Sequence, residues 1–314
     1  MNKILTIIIP CVNEEKNINI IYDEIIKINF DYNININILF IDDGSKDLSK
    51  ENIRKLANKD QKVKYVFLSK NFGKEAAIFA GLEKSKELNS NYICIMDCDL
   101  QDPPSLLPKM INVLEEDINY EAVSCKRVNR KGEGVFRSFF SILFYKIMRV
   151  CTKVDIPEGA RDYLMMREKF RDTLLSHREK NRFFKGLYNS IGFNIKWIEF
   201  ENVHIDGRNS RWSIMQLFSY ALLGIISYSE IPLTIASFTG IILFLASIIG
   251  FIFVFIRARI FGDPVAGWPS LVCILLFLFG LQYLFIGILG LYMSKNYKEL
   301  KNRPIYVLDE TNIK

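Results

Sequence analysis

Asp97-Cys98-Asp99 places two carboxylates two residues apart, directly after the apolar run Tyr92–Met96. Hard oxygen donors of this kind suit Mg2+ or Mn2+, ions that keep several waters and bridge to a diphosphate instead of sitting in an all-protein cage. The chemistry implied is that of a metal-bound diphosphate substrate. Three other polar segments also follow strand-like runs: Pro10-Cys11-Val12-Asn13-Glu14-Glu15, Asp42-Asp43-Gly44-Ser45-Lys46-Asp47 and Ser69-Lys70-Asn71-Phe72-Gly73-Lys74. One acidic residue at a strand end is often only a helix N-cap, the role expected of Asp47 and Ser105. Four such segments in register point to a site.

The elements that must position these residues are legible upstream of each segment. Ile4–Ile9, Ile36–Ile41, Val63–Leu68 and Tyr92–Met96 are short runs rich in β-branched residues, each followed by polar turn residues and a helical pattern. That alternation predicts an α/β domain with a mostly parallel sheet and helices on both faces. Ligands of such sheets bind beyond the carboxyl ends of the strands, so all four segments are expected on one rim. Gly132-Glu133-Gly134 lacks a third glycine and a preceding strand, which excludes a dinucleotide-binding fingerprint, and there is no Walker sequence.

In this order the motifs Pro10…Asn13-Glu14, Asp42-Asp43-Gly44-Ser45, Asn71-Phe72-Gly73 and Asp99-Leu100-Gln101-Asp102-Pro103-Pro104 resemble glycosyltransferase family 2, the inverting GT-A enzymes. Within it the chain is similar to polyprenyl-phosphate glycosyltransferases of the bactoprenol and dolichol type. The likeness continues to Tyr292…Tyr297…Glu299…Arg303-Pro304-Ile305-Tyr306. The resemblance implies that Pro10, Val12, Glu14 and Asp43 hold the nucleotide base and ribose, that Asp97, Asp99 and Gln101 hold the metal and diphosphate, and that Arg127 and Arg130 lie near the phosphates. It also aligns Asp162, within Gly159-Ala160-Arg161-Asp162-Tyr163-Leu164-Met165, with the family's proposed base; here an arginine precedes the aspartate instead of following it. A phosphate monoester with a second pKa near 6 is largely dianionic at neutral pH, so Asp162 is read either as base or as the group that orients the acceptor or metal.

The composition calls for a membrane. Half of the 314 residues are hydrophobic, and glycine raises the apolar share to about 55%, above an ordinary soluble domain. Leu233–Ile256 and Pro264–Ser294 carry no charge, and at about 1.5 Å per residue each can cross a hydrocarbon core roughly 30 Å thick. Three units are expected: a GT-A domain over residues 1–230, a two-helix hairpin over 231–294 and a basic tail over 295–314. Lys295, Lys298, Lys301 and Arg303, with Arg208 and Arg211, outnumber Arg257 and Arg259 in the connecting loop, so the catalytic domain and both termini are expected in the cytoplasm at the inner membrane. Met1-Asn2-Lys3 leads straight into a strand-like run, and no signal peptide is expected.

The surplus of basic over acidic residues, 41 against 35, is local. Lys126, Arg127, Arg130, Lys131, Arg137, Lys146 and Arg149 crowd one window, in which Phe136, Phe139, Phe140, Leu143, Ile147 and Val150 recur at helical spacing. This predicts a basic amphipathic helix over about 135–150 lying among lipid headgroups, and a second over about 212–228. Arg130, Arg137, Arg161, Arg208 and Arg211 are the expected acceptor-phosphate residues, since guanidinium forks match phosphate oxygens. Phosphate lipids explain these charges with fewer assumptions than nucleic acid, and no nucleic-acid partner is expected. Six scattered cysteines and two histidines, with no CxxC pair, exclude a zinc site and a disulfide framework and read as small buried side chains.

The expected activity, as the resemblance implies, is transfer of one hexose, glucose or N-acetylglucosamine, from a UDP-sugar to undecaprenyl phosphate in the bilayer. Association with further copies of the chain is left open. Two alternatives are a processive polysaccharide synthase, disfavoured because Arg208 stands where a Gln-x-x-Arg-Trp run needs glutamine before Arg211-Trp212, and a non-catalytic nucleotide-sugar sensor, disfavoured by retention of Asp97, Asp99 and Gln101.

Overall fold

The structure of the protein, a computed structural model, describes residues 3–127, 157, 159–179, 184–200, 231–261 and 267–313. The two amphipathic segments expected at about 135–150 and 212–228 lie outside the described residues, as do Arg130, Arg137, Arg208 and Arg211. By internal contacts the chain divides into one unit of Met1–Ile214 with Arg303–Lys314, and a second of Met215–Asn302.

The first unit is an eight-stranded sheet with GT-A-like α/β architecture. Its strands are β1 (Lys3–Cys11), β2 (Ile34–Asp42), β3 (Val63–Leu68), β4 (Tyr92–Ile95), β5 (Ala122–Arg127), β6 (Ala160–Arg167), β7 (Ile195–Phe200) and β8 (Leu308–Thr311), in the spatial order β7-β5-β6-β4-β1-β2-β3-β8. The central strands β4, β1, β2 and β3 are parallel. Strand order reverses beside β1, which has β2 on one side and β4 on the other, and such a reversal opens a crevice at the carboxyl ends.

Both faces of the sheet are covered, which is why Ile7-Ile8-Ile9 of β1 and Ile38-Leu39-Phe40-Ile41 of β2 read as unbroken apolar runs. Ile7, Ile9, Ile38 and Phe40 face α1 (Ile18–Ile26), α2 (Ser49–Lys59) and α4 (Leu107–Glu116) in one core. Ile8, Leu39 and Ile41 face α3 (Lys74–Glu87), α5 (Glu168–Ser176) and α6 (Phe184–Ser190) in the other. Helix α3 is buried almost all round, and a side-chain carbon at its Gly81 would collide with Ile8. Cys11, Cys94, Cys98 and Cys125 are buried free thiols; burial pushes the Cys125 thiol up to about 12.

Two strands depart from the parallel pattern. β6 inserts antiparallel between β4 and β5, so its first residues lie beside the carboxyl end of β4. β8 pairs antiparallel with β3 at the sheet edge. The basic tail expected over 295–314 is therefore corrected: α8 (Trp268–Leu300) runs on past Lys295 and Lys298, and the residues after it return to the sheet, with Ile305, Tyr306 and Ile313 packed on the second core. The N-cap roles expected of Ser105 and Asp47 are corrected too, since the 3-10 turn at Pro104–Leu106, α4 and α2 all lack a side-chain cap and the cap position of α2 is Leu48; Asp47, one residue earlier, accepts the Ser49 N–H at 3.0 Å.

The second unit holds α7 (Ile231–Phe261) and α8, which pack on each other. Ile231–Gly250 and Phe277–Tyr297 are each long and apolar enough to cross a membrane. Large side chains such as Phe238, Ile249, Phe253 and Phe277 are exposed, an arrangement water does not tolerate over so wide an area.

Gly44, between β2 and α2, shows how tightly the rim is built. Its φ is +72°, and a side-chain carbon there would lie 2.5 Å from the Lys70 carbonyl carbon and 2.6 Å from the Asn71 nitrogen. Gly44→Ala must push one backbone segment off another and adopt a left-handed conformation costing about 1–2 kcal/mol by itself. The midpoint of thermal unfolding is expected to fall by at least ~5 °C; an unchanged midpoint would show that the two loops do not meet as described.

Candidate active site

The loops after β1 and β2 are stitched together before any ligand arrives. The Asn13 N–H donates to Ser45 Oγ at 2.8 Å, and the Lys46 N–H donates to Asn13 Oδ1 at 2.9 Å. Asn13 holds this exchange at φ +53°, a left-handed conformation that asparagine tolerates better than most residues. The Glu14 N–H donates to Ser49 Oγ at 2.9 Å, and the Glu14 carboxylate accepts from the Asn17 amide. Pro10 pairs with Ile41 across the sheet, and Val12 is exposed at the rim.

Asp43, expected at the nucleotide, has both oxygens engaged by the next loop: Oδ1 accepts the Phe72 N–H at 2.7 Å and Oδ2 the Gly73 N–H at 2.8 Å. Burial pushes its carboxyl above the ordinary range against these two donors. Its work in this structure is to fix the Asn71-Phe72-Gly73 turn from which α3 starts. The neighbouring Asp42 is fully buried, with Oδ1 accepting the Ser45 N–H at 2.9 Å and Oδ2 unpartnered.

After β4 the chain turns sharply. Asp99 Oδ1 accepts the Gln101 N–H at 3.1 Å, and Leu100 between them sits at φ +61°, strained for a leucine. Such strain persists where packing imposes it and gathers at functional sites; here the Leu100 side chain packs on the first core. Asp102 is fully buried and braces the turn, Oδ2 accepting the Asp97 N–H at 3.2 Å and Oδ1 accepting from Arg161 Nε at 3.1 Å. Burial raises its carboxyl to about 6 in spite of Arg161. Arg161, expected at the acceptor phosphate, is thus given to Asp102 and, through Nη2, to Gln101 Oε1 at 3.3 Å.

Asp162 joins this rim because β6 is antiparallel. Tyr163 Oη on Pro103 O at 3.1 Å and Tyr188 Oη on Arg161 O at 3.3 Å hold the start of the strand in place. Lys74, the first residue of α3, then connects the two sides: its Nζ lies 2.6 Å from Asp97 Oδ1 and 2.6 Å from Asp162 Oδ2. Lys185 of α6 stands 4.0 Å from Asp162 Oδ1, in a helix whose Phe184 N–H is held by Glu75 of α3 at 3.2 Å. Burial works against the charged form of Asp162, but Lys185 and Lys74 outweigh it and hold the carboxyl well below the usual range. Burial likewise works against the Lys74 ammonium, and Asp162 and Asp97 outweigh it and keep it charged.

Asp97, Asp99, Gln101, Asp162 and Arg161 therefore meet at one rim. Arg127 ends β5, where its N–H donates to Gly159 O at 3.0 Å. The sequence reading missed Lys74, Lys185 and Asp102. The signal for Lys74 was available: a cation at the first turn of a helix is disfavoured by the helix dipole and implies acidic partners.

The donor set fits a divalent ion carried by a diphosphate. Asp97 already accommodates a cation in the form of the Lys74 ammonium. Among the described residues no three His, Cys, Asp or Glu side chains gather into a protein-only cage.

Comparison with known proteins bears on this geometry. The sequence pattern described as Glycosyl transferase family 2 matches residues 6–175. CsbB of Bacillus subtilis (strain 168) is 38% identical over 314 residues, covering 99% of this chain and 92% of its own length. The bactoprenol glucosyl transferase of Shigella phage SfII is 32% identical over 311 residues, covering 98% of each. Among solved structures, glucosyl-3-phosphoglycerate synthase from Mycobacterium tuberculosis aligns with a TM-score of 0.48 at 15% identity, over 71% of this chain and 78% of that one.

Proposed function

The chain belongs to glycosyl transferase family 2, and on that premise we propose that it moves one hexose from a UDP-sugar to a polyprenyl phosphate at the cytoplasmic face of a membrane. The observation that carries this reading is the meeting of Asp97, from the β4 rim, and Asp162, from β6, on one ammonium. A donor held by the first and an acceptor aligned by the second would react across that short gap. The near full-length likeness to a bactoprenol glucosyl transferase supports a polyprenyl phosphate as acceptor and favours glucose as the sugar, with N-acetylglucosamine the other donor to be tried.

In the reaction an acceptor phosphate oxygen attacks the anomeric carbon from the face opposite the leaving UDP. The new C–O bond forms as the bond to the diphosphate breaks, its electrons leaving with UDP, and configuration inverts. Pro10, Val12 and Glu14 line the nucleotide side, and Asp97, Asp99 and Gln101 would hold Mg2+ or Mn2+ with the diphosphate. Bound there, the ion offsets charge building on the departing group. Asp162, held ionised by Lys185 and Lys74, is a weak base, and the dianionic acceptor needs none; its part is to hold the lysines that align the nucleophile. Holding both reactants on one rim accounts for much of the rate.

The hairpin α7–α8 places the acceptor's solvent, the bilayer, next to the enzyme in sequence. Residues before and after it belong to the same unit, with β8 in the same sheet as β1–β7. That supports an even number of crossings with both termini on one side, and the flanking lysines and arginines favour the cytoplasm.

Release of UDP from UDP-glucose or UDP-N-acetylglucosamine is the test. It is expected to require both a divalent ion and undecaprenyl phosphate in vesicles containing the full-length protein. Release that ignores the lipid phosphate would reject the acceptor, and donor binding with no release under any condition would favour the sensor.

A further inference from the structure

Lys74 stands where a cation has least reason to be. It opens α3, and the first turn of a helix carries partial positive charge; its ammonium is offset by carboxylates from two separate elements, 2.6 Å from each. The two carboxylates are not held alike. Among the described residues Asp162 has a second cation, Lys185, whereas the ion-pair partner of Asp97 is Lys74.

We propose that Lys74 is a positioning residue of the transfer reaction: it occupies Asp97 in the donor-free protein and yields it to the divalent ion that arrives with the nucleotide sugar, while remaining on Asp162. The inference rests on the functional reading above and adds to it an occupant of the metal position built into the chain. Three features of the residue suit the exchange. Its side chain is 41% exposed, so its stem has room to turn at the surface of the rim. Its four-carbon stem turns freely about several bonds, and its charge is compact, as a stand-in for a metal ion must be. Its backbone is fixed, because Asp43 clamps Phe72 and Gly73 immediately before it. The exchange keeps a cation against Asp97, the extra charge being met by the incoming diphosphate, and leaves the lysine facing the gap between donor and acceptor, where phosphate oxygens arrive.

The consequence is a competition that a merely structural lysine would not show. Removing Lys74 leaves Asp97 and Asp162 as neighbouring like charges with less cation between them, and a divalent ion should then bind more tightly in the absence of nucleotide. Binding of Mn2+ to the full-length protein in detergent, followed by the paramagnetic resonance of the free ion, reads this directly. Lys74→Met and Lys74→Gln are expected to bind Mn2+ roughly five- to tenfold more tightly than the parent, a coupling of ordinary size. Lys74→Arg should bind as the parent does. In transfer assays the two neutral variants should lose kcat more than they raise KM, with partial rescue in Lys74→Arg. Two neutral variants are specified so that either, once shown to unfold at the parental temperature, serves. Neutral variants that bind Mn2+ no more tightly than a parent that does take it up overturn the role of Lys74 alone. A parent that takes up no Mn2+ with or without UDP overturns the divalent-ion reading of the site and Lys74's exchange with it.

Discussion

Asp99→Asn is expected to unfold at the parental temperature and to transfer sugar about 10²–10³-fold more slowly, a loss of about 3–4 kcal/mol of transition-state stabilisation. The two halves of this expectation have separate causes. Asparagine keeps a side-chain oxygen where Asp99 Oδ1 accepts the Gln101 N–H, so the turn through the strained Leu100 keeps its bond. What disappears is one negative charge from the pair that would hold the ion and diphosphate, and charge stabilisation at the leaving group is worth several kcal/mol. Raising the Mn2+ concentration should recover part of the rate. A folded variant that turns over at the parental rate would move the metal position away from Asp99, and parental turnover with the metal chelated would remove the metal from the reaction.

Deleting residues 303–314 should have an effect of similar size by a different route. The hairpin stays, but β8 goes, and with it the cover on β3, whose Val66, Phe67 and Leu68 are fully buried. Ile305, Tyr306 and Ile313 leave the second core, and the Tyr306 hydroxyl leaves Glu83 Oε2, 2.7 Å away. The ion pairs Arg54–Glu310 and Lys50–Asp309 are half exposed and contribute little. The apolar losses together are about 3–5 kcal/mol, a large part of the margin of a folded domain, and correspond to roughly 10 °C in the unfolding midpoint. The bared edge of β3 also invites pairing with other chains, so the truncated protein should aggregate on warming. Activity should fall as well, because the loop after β3 carries the Asn71-Phe72-Gly73 turn and Lys74, and the Ser69 N–H is held by Val307 O at 2.9 Å. A truncated protein with parental midpoint and rate would make β8 dispensable.

The strands that were legible in the sequence are those buried on both faces. Ile7-Ile8-Ile9 and Ile38-Leu39-Phe40-Ile41 could be nothing but interior strands, and the polar residues after them fell on the rim that parallel topology requires. β6 was visible only as a motif, because Arg161-Asp162 stand among its first residues and its place between β4 and β5 is set by partners far away in the chain. β8 was not visible at all. Leu308-Asp309-Glu310-Thr311 shows no apolar alternation and becomes a strand only against β3, where Tyr65 meets Glu310 across 245 residues. The site divides in the same way. Asp97 and Asp99 announced themselves by spacing, and the family resemblance brought in Asp162. Lys74 and Asp102 stood inside quoted motifs without a role, since their partners Asp162 and Arg161 come from β6, which only the fold brings to the rim.

The central claim, that a single sugar is placed on a polyprenyl phosphate with inversion, is tested most directly by identifying the product. Full-length protein is incubated with undecaprenyl phosphate, Mg2+ or Mn2+, and each of a panel of UDP- and GDP-sugars; the lipid is extracted, weighed by mass spectrometry and its anomeric configuration read by NMR. The account predicts one glycolipid, from a UDP-hexose or UDP-N-acetylhexosamine, carrying one sugar in β linkage from the α-linked donor. No glycolipid with any donor, a lipid bearing a polymer, or an α-linked product would contradict it.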